Sequence, residues 1–134
     1  MPHAAPGRRG AGGFVTVQFT VAVALSLVFL VMLCNVIVFM YARGVVRAAL
    51  DEGVHTGSRA SQSTARCQAA ALATKRALLG GPLGANIAIT CTLNPAGDLV
   101  QASASGTLQS WFPFIPDWPV NATASAVKER EPEP

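Results

Sequence analysis

Gly13-Phe14-Val15-Thr16-Val17-Gln18 marks the point at which this chain changes character. Before it lies a basic, glycine-rich stretch with Arg8, Arg9, Gly10, Gly12 and Gly13. After it, residues 14–42 carry no charge at all. The apolar region of a cleavable signal peptide runs to about 7–15 residues, and this run is much longer. A bilayer's hydrocarbon is crossed by about 20 apolar residues at about 1.5 Å rise each. Residues 1–13 therefore read as a basic leader. Residues 14–42 read as a transmembrane helix that can cross a bilayer and still project a turn or two.

The spanning segment concentrates the chain's apolarity. Hydrophobic residues make up 51% of the 134 and charged residues only 13%, yet the part beyond Arg43 is rich in Ala, Ser, Thr and Gly. That part has the size of one small domain, and its few large aliphatics predict a thin core. The formal charge of +3 comes from cations set singly or in pairs without interleaved aromatics. This is not the footprint of a nucleic-acid-binding protein.

Cys34 lies inside the apolar run and reads as a small hydrophobe. Cys67 and Cys91 lie beyond it, without the Cys-x-x-Cys spacing of zinc or redox sites. With only His3 and His55 available, a four-ligand metal site is not expected. A Cys67–Cys91 disulfide is the favoured reading and two free thiols the alternative. A bridge closing a loop of this length adds on the order of 3 kcal/mol, provided the domain lies in an oxidising compartment.

Within the apolar run Gln18, Ala22 and Ser26 recur at i+4 and share one helix face. That face is small and polar, suited to close helix packing in lipid. Tyr41 and Arg43 suit the far membrane interface. No breaker separates the run from residues 43–64. Val46, Leu50 and Val54 continue at helical spacing, and Ala49, Gly53, Gly57 and Ser61 form a parallel stripe of small residues. Glycine inside a helix costs about 1 kcal/mol relative to Ala, so Gly53 and Gly57 predict close approach of another backbone. A loose connector broken at either glycine is the alternative. His55 reads as a surface residue.

Residues 65–79 form a second helical segment, ended by Gly80-Gly81-Pro82. Residues 43–82 thus read as a helical extracytoplasmic connector. The period then changes to two over residues 86–93 and 100–108, either side of the turn Asn94-Pro95-Ala96-Gly97-Asp98. Residues 111–119 form an aromatic, proline-rich loop, either a lid on the core or a partner-binding patch. Residues 120–127 read as a third strand, so 83–127 form a small β domain. Residues 128–134 read as a disordered tail. The fold class is α+β: a long N-terminal transmembrane helix continuing into helical segments, then a small three-stranded antiparallel sheet.

Chemistry-bearing constellations are missing. There is no Ser–His–Asp or Cys–His arrangement, no paired carboxylates, and no phosphate loop with its Lys. Neither an enzyme nor a cofactor is expected. Asn121-Ala122-Thr123 fits a glycosylation sequon, a triplet common by chance.

Gly13 ahead of Phe14, with Gln18 in the fifth place counted from Phe14, resembles the N-terminal class of type IV pilins and pseudopilins. With Val17-Gln18-Phe19 standing where that family has Val-Glu-Phe, the chain looks most like the TadE family of tight-adherence (Flp) pilus pseudopilins. The resemblance extends in outline to the connector at residues 49–60 and to the small-residue strands. It implies processing between Gly13 and Phe14 by a prepilin peptidase. It also implies a single-pass place in a bacterial plasma membrane, with the N-terminus cytoplasmic and the domain extracytoplasmic. The implied partners are the lipid bilayer, other pilin-like subunits and pilus assembly membrane proteins. Two departures carry weight: Gln replaces the acidic residue, and the proline usual a few residues further on is absent. Gln18 can hydrogen-bond to a neighbour's amino terminus but cannot neutralise it, which points to an accessory or minor subunit. The rival reading is an unprocessed membrane anchor whose small exterior domain binds a partner. Arg8 and Arg9 favour an inside N-terminus, whereas Arg43, Arg47, Arg59 and Arg66 after the helix argue the other way. The family resemblance and the cysteine pair decide for the domain outside.

Overall fold

The computed structural model describes residues 3, 11–59, 63–110 and 113–130. The expectations for the leader up to residue 10, Ser61, Trp111-Phe112 and the last four tail residues lie outside these. The elements are helix α1 (Ala11–Ser58), helix α2 (Thr64–Leu78), a short 3-10 turn (Gly81–Gly84), and strands β1 (Ile87–Leu93), β2 (Leu99–Leu108) and β3 (Trp118–Val127). The fold is α+β. The chain divides into two units, residues 1–36 and 37–134.

The first unit is helical from Ala11 onward. Its large apolar side chains, from Phe14 to Val36, are exposed, as a span facing lipid requires. The hydroxyls within it are satisfied locally: Thr16 donates to Gly12 C=O, Thr20 to Thr16 C=O and Ser26 to Ala22 C=O, each at 2.9 Å. Such i−4 bonds let polar residues sit in an apolar medium. Gly13 and Phe14 both lie within α1.

In the second unit, residues 43–58 of α1 pack with α2 and the sheet. They stay helical through Gly53 and Gly57, and Val45, Val46, Ala49, Leu50 and Val54 are buried in one core with the sheet and α2. Both helices contribute to the core that covers the inner face of the sheet.

The sheet is antiparallel in the order β1-β2-β3. Its inner rows are Ile87/Gly106/Val120, Ile89/Ala104/Ala122, Cys91/Ala102/Ala124 and Leu93/Val100/Ala126. The large residues sit at the ends of β2 and along β1, and alanines fill the middle. The outer face carries Thr90, Thr92, Gln101, Ser103, Ser105, Thr107, Asn121, Thr123 and Ser125, and Thr90 and Ser103 share a hydroxyl hydrogen bond of 2.9 Å. The β1–β2 turn is organised by Asn94, whose Oδ1 accepts from Asp98 and Leu99 N–H at 3.0 and 3.1 Å. Gly97 adopts φ 74°, as the turn requires.

Strand β3 begins earlier than the sequence pattern indicates. Trp118 and Pro119 pair with Leu108 and Thr107 and belong to the strand, not to the loop. The Trp118 ring packs edge-on against Phe39 at 4.2 Å between centroids, and the Arg43 guanidinium lies 5.8 Å from the Phe39 ring. The tail is tied down at its start: Lys128 N–H donates to Asp98 C=O at 2.7 Å and Glu129 N–H to Ser58 C=O at 2.6 Å.

The helix–helix contact explains the two internal glycines. A Cβ on Gly57 would stand 2.8 Å from Cys67 Cβ, and one on Gly53 would stand 2.9 Å from Ala71 Cβ and 3.0 Å from Cys67 C=O. The approaching backbone is α2 of the same chain. Gly57→Val should therefore destabilise the second unit by about 2 kcal/mol or more through overpacking. Gly44→Ala meets nothing within 4 Å and should stabilise by roughly 0.5–1 kcal/mol. Thermal melts of the two variants in micelles should move in opposite directions.

Candidate functional site

Three places gather the residues singled out in the sequence: the leader junction, the exposed helix face, and the disulfide. At the junction, Gly13 and Phe14 are exposed and lie within α1. Gly12 and Gly13 each weaken helix by about 1 kcal/mol relative to Ala.

Gln18, Ala22 and Ser26 are all exposed and one turn apart. The Ser26 hydroxyl proton is engaged by Ala22 C=O, leaving its lone pairs as acceptors. Gln18 retains a full amide, able to donate and accept. A further polar group stands in the same unit: Asn35 Nδ2 is buried and has no hydrogen-bond partner among the described residues. Cys34 beside it is exposed and unbonded. Gly53 and Gly57, by contrast, are covered by α2 and cannot offer packing to another molecule.

Cys67 and Cys91 are bonded, with Cα atoms 6.2 Å apart. Cys67 is fully buried on α2 and Cys91 half-buried on β1. The bridge clamps α2 to one edge of the sheet. Lys75, one helical stretch further on, reaches across the same gap and donates to Gly84 C=O at 3.1 Å and Ile87 C=O at 2.9 Å. Tyr41 OH donates to Leu78 C=O at 3.2 Å and ties the end of α2 to α1. The sequence pattern gives no sign of either tie, because nothing local distinguishes a capping lysine or an anchoring tyrosine from a surface one.

At the opposite edge of the sheet a cleft of about 510 Å³ is lined by Arg47, Leu50 and Asp51 of α1 and residues 121–124 of β3. It adjoins a smaller depression of about 280 Å³ formed by Met40, Arg43, Gly44 and Arg47. Asn121 and Thr123 stand here, in a strand and not on a loop. The described residues contain no cluster of three or more His, Cys, Asp or Glu side chains able to hold a metal.

Comparison with family models, with curated proteins and with solved structures finds no match.

The geometry makes two measurable demands. Reducing Cys67–Cys91 removes a constraint on a loop of 24 residues' separation and should cost on the order of 3 kcal/mol, read as a lower melting temperature in reductant with Cys34 alkylated in both states. Replacing Ala22 and Ser26 together by Leu should reduce in-membrane crosslinking between helices, while Ile at Val23 and Leu27 should change it little. Equal crosslinking in both would place the association outside this face.

Proposed function

We propose that the chain is a pseudopilin-like, single-pass membrane subunit that acts in the assembly of a Flp or type IV-like pilus, or of a related secretion apparatus. It works by packing of helices and not by catalysis. The observation that carries this reading is a single uninterrupted helix, α1, starting at a basic leader that ends in Gly13. The helix is long and apolar enough to cross a membrane in its first part, and its later part is the core of an α+β domain.

The disulfide supports an extracytoplasmic place for that domain, since such bonds persist in oxidising compartments. Arg8 and Arg9 then sit on the cytoplasmic side, as the positive-inside tendency prefers. Gln18 in place of an acidic residue favours an accessory or minor role over a filament's main subunit. A neutral amide can bond a neighbour's amino terminus but leaves its charge uncompensated in lipid.

Cleavage between Gly13 and Phe14 tests the reading directly. In a host with a prepilin peptidase the intact mass of the membrane-extracted protein should correspond to loss of residues 1–13, and Gly13→Leu should retain them. Retention of the leader by the wild-type chain in that host would leave the unprocessed anchor as the surviving reading.

A further inference from the structure

The hydrogen-bonding parity of the sheet identifies which backbone groups face each edge. Residues opposite each other in an antiparallel pair alternate between bonded and non-bonded. Lys128 N–H bonds Asp98 C=O, and these two residues continue the β2–β3 register. Residues 118, 120, 122, 124 and 126 therefore bond to β2, whereas the N–H and C=O groups of 121, 123, 125 and 127 point away from the sheet. By the same logic Asn94 N–H bonding Leu99 C=O turns Ile87, Ile89 and Cys91 toward the far edge of β1.

The two edges are treated differently. On β1, Ile87 C=O accepts from Lys75 Nζ and Cys91 is bonded to α2. On β3, Pro119 offers no N–H and Glu129 N–H is taken by Ser58 C=O. Between those two points the outward groups of Asn121, Thr123 and Ser125 have no partner among the described residues. From Trp118 to Val127 the strand carries no charge, although exposed edges are ordinarily guarded by charge, proline or a covering element. Beside this open stretch lies the cleft of about 510 Å³ with Arg47, Leu50 and Asp51 on its far wall.

We propose that this edge is a docking site for an extended segment of a different polypeptide, which adds antiparallel to β3 as a fourth strand and sets an acidic side chain beside Arg47. The inward side chains of such a strand fall next to Ala122 and Ala124, whose small size leaves the room, and above Leu50. Arg47 has no ion-pair partner among the described residues, and Arg43 stands one turn away in the adjoining depression. Asp51 stands on the same wall, so two arginines face one carboxylate across the cleft and its adjoining depression, and the remaining positive charge favours a second carboxylate.

A second copy of this chain does not supply such a strand, because its own edge strands, β1 and β3, carry no acidic residue to set beside Arg47. The site thus recognises backbone geometry plus one charge, in the manner of strand addition. It stands whether or not the leader is cleaved.

The test uses the full chain in detergent micelles and a dye-labelled, end-capped peptide, Thr-Val-Thr-Glu-Thr-Val-Thr, titrated by fluorescence anisotropy. N-methylation of its two inner threonines removes the N–H groups that face β3 and should weaken binding about tenfold or more, whereas N-methylation of its valines, which face away, should leave it unchanged. Exchanging the peptide's glutamate for lysine, or Arg47→Ala in the protein, should each weaken binding by about threefold or more. Thr123→Pro, at the same outward parity as Pro119, should abolish binding while the melting temperature is kept. Absence of saturable binding, or equal effects of the two methylation patterns, would overturn the proposal. So would sedimentation showing a dimer that Thr123→Pro dissolves, because the edge would then belong to a second copy.

Discussion

The contact between Cys67 and the glycines of α1 is the constraint on which the second unit depends. Two helices approach to 8–10 Å between axes only as their contact residues allow. Here a Cβ on Gly57 would already collide with Cys67 Cβ. That approach places Cys67 where it can also bond Cys91 on β1. One residue therefore sets the α1–α2 spacing and the α2–sheet spacing together. The alanines of the inner sheet face reflect the same closeness, since larger residues at 102, 104, 122 and 124 would lift the sheet from helices already locked to each other.

The first unit answers to a different solvent. In water the exposed Phe, Leu, Val and Met side chains of residues 14–36 would form an apolar patch far larger than a soluble monomer carries. In hydrocarbon the demand reverses, and every polar group must find a partner inside the helix. Thr16, Thr20 and Ser26 meet that demand through i−4 bonds. Gln18 keeps an exposed amide group that a neighbouring helix can use, worth roughly 0.6–2 kcal/mol in lipid. Helix association in hydrocarbon draws on such polar groups and on close packing, with no general apolar attraction to assist.

The helical span, the second helix, the turn at Asn94 and the alternation of β1 and β2 were legible because each depends on local periodicity or turn chemistry. Gly53 and Gly57 were legible as a sign of close approach. The identity of the approaching backbone was not, since it depends on how the chain folds back after residue 58. The start of β3 was obscured by Trp118-Pro119, a pair that reads as loop because proline is rare in strands. Its place at an outward edge position removes the objection, as no ladder hydrogen bond is lost there. The stripe Val46, Leu50 and Val54 was legible as helical, but the sheet and second helix that it packs against were not, because those contacts are distant in sequence. At the leader junction the sequence carries nearly all the information, as the structure adds only that Gly13 and Phe14 are helical and exposed.

A three-stranded sheet on two helices has two edges to manage, and α2 with its disulfide and Lys75 serves only one. The other edge is closed at its ends, by Pro119 and by the Glu129–Ser58 bond, and left open in the middle. Closing it fully would have taken one charged residue at 121, 123 or 125, or a proline among them, changes that leave the core untouched because these side chains face outward. The inner face imposes no requirement for Asn, Thr and Ser there. Neutral, short side chains at those positions are what a strand needs in order to be extended by another strand.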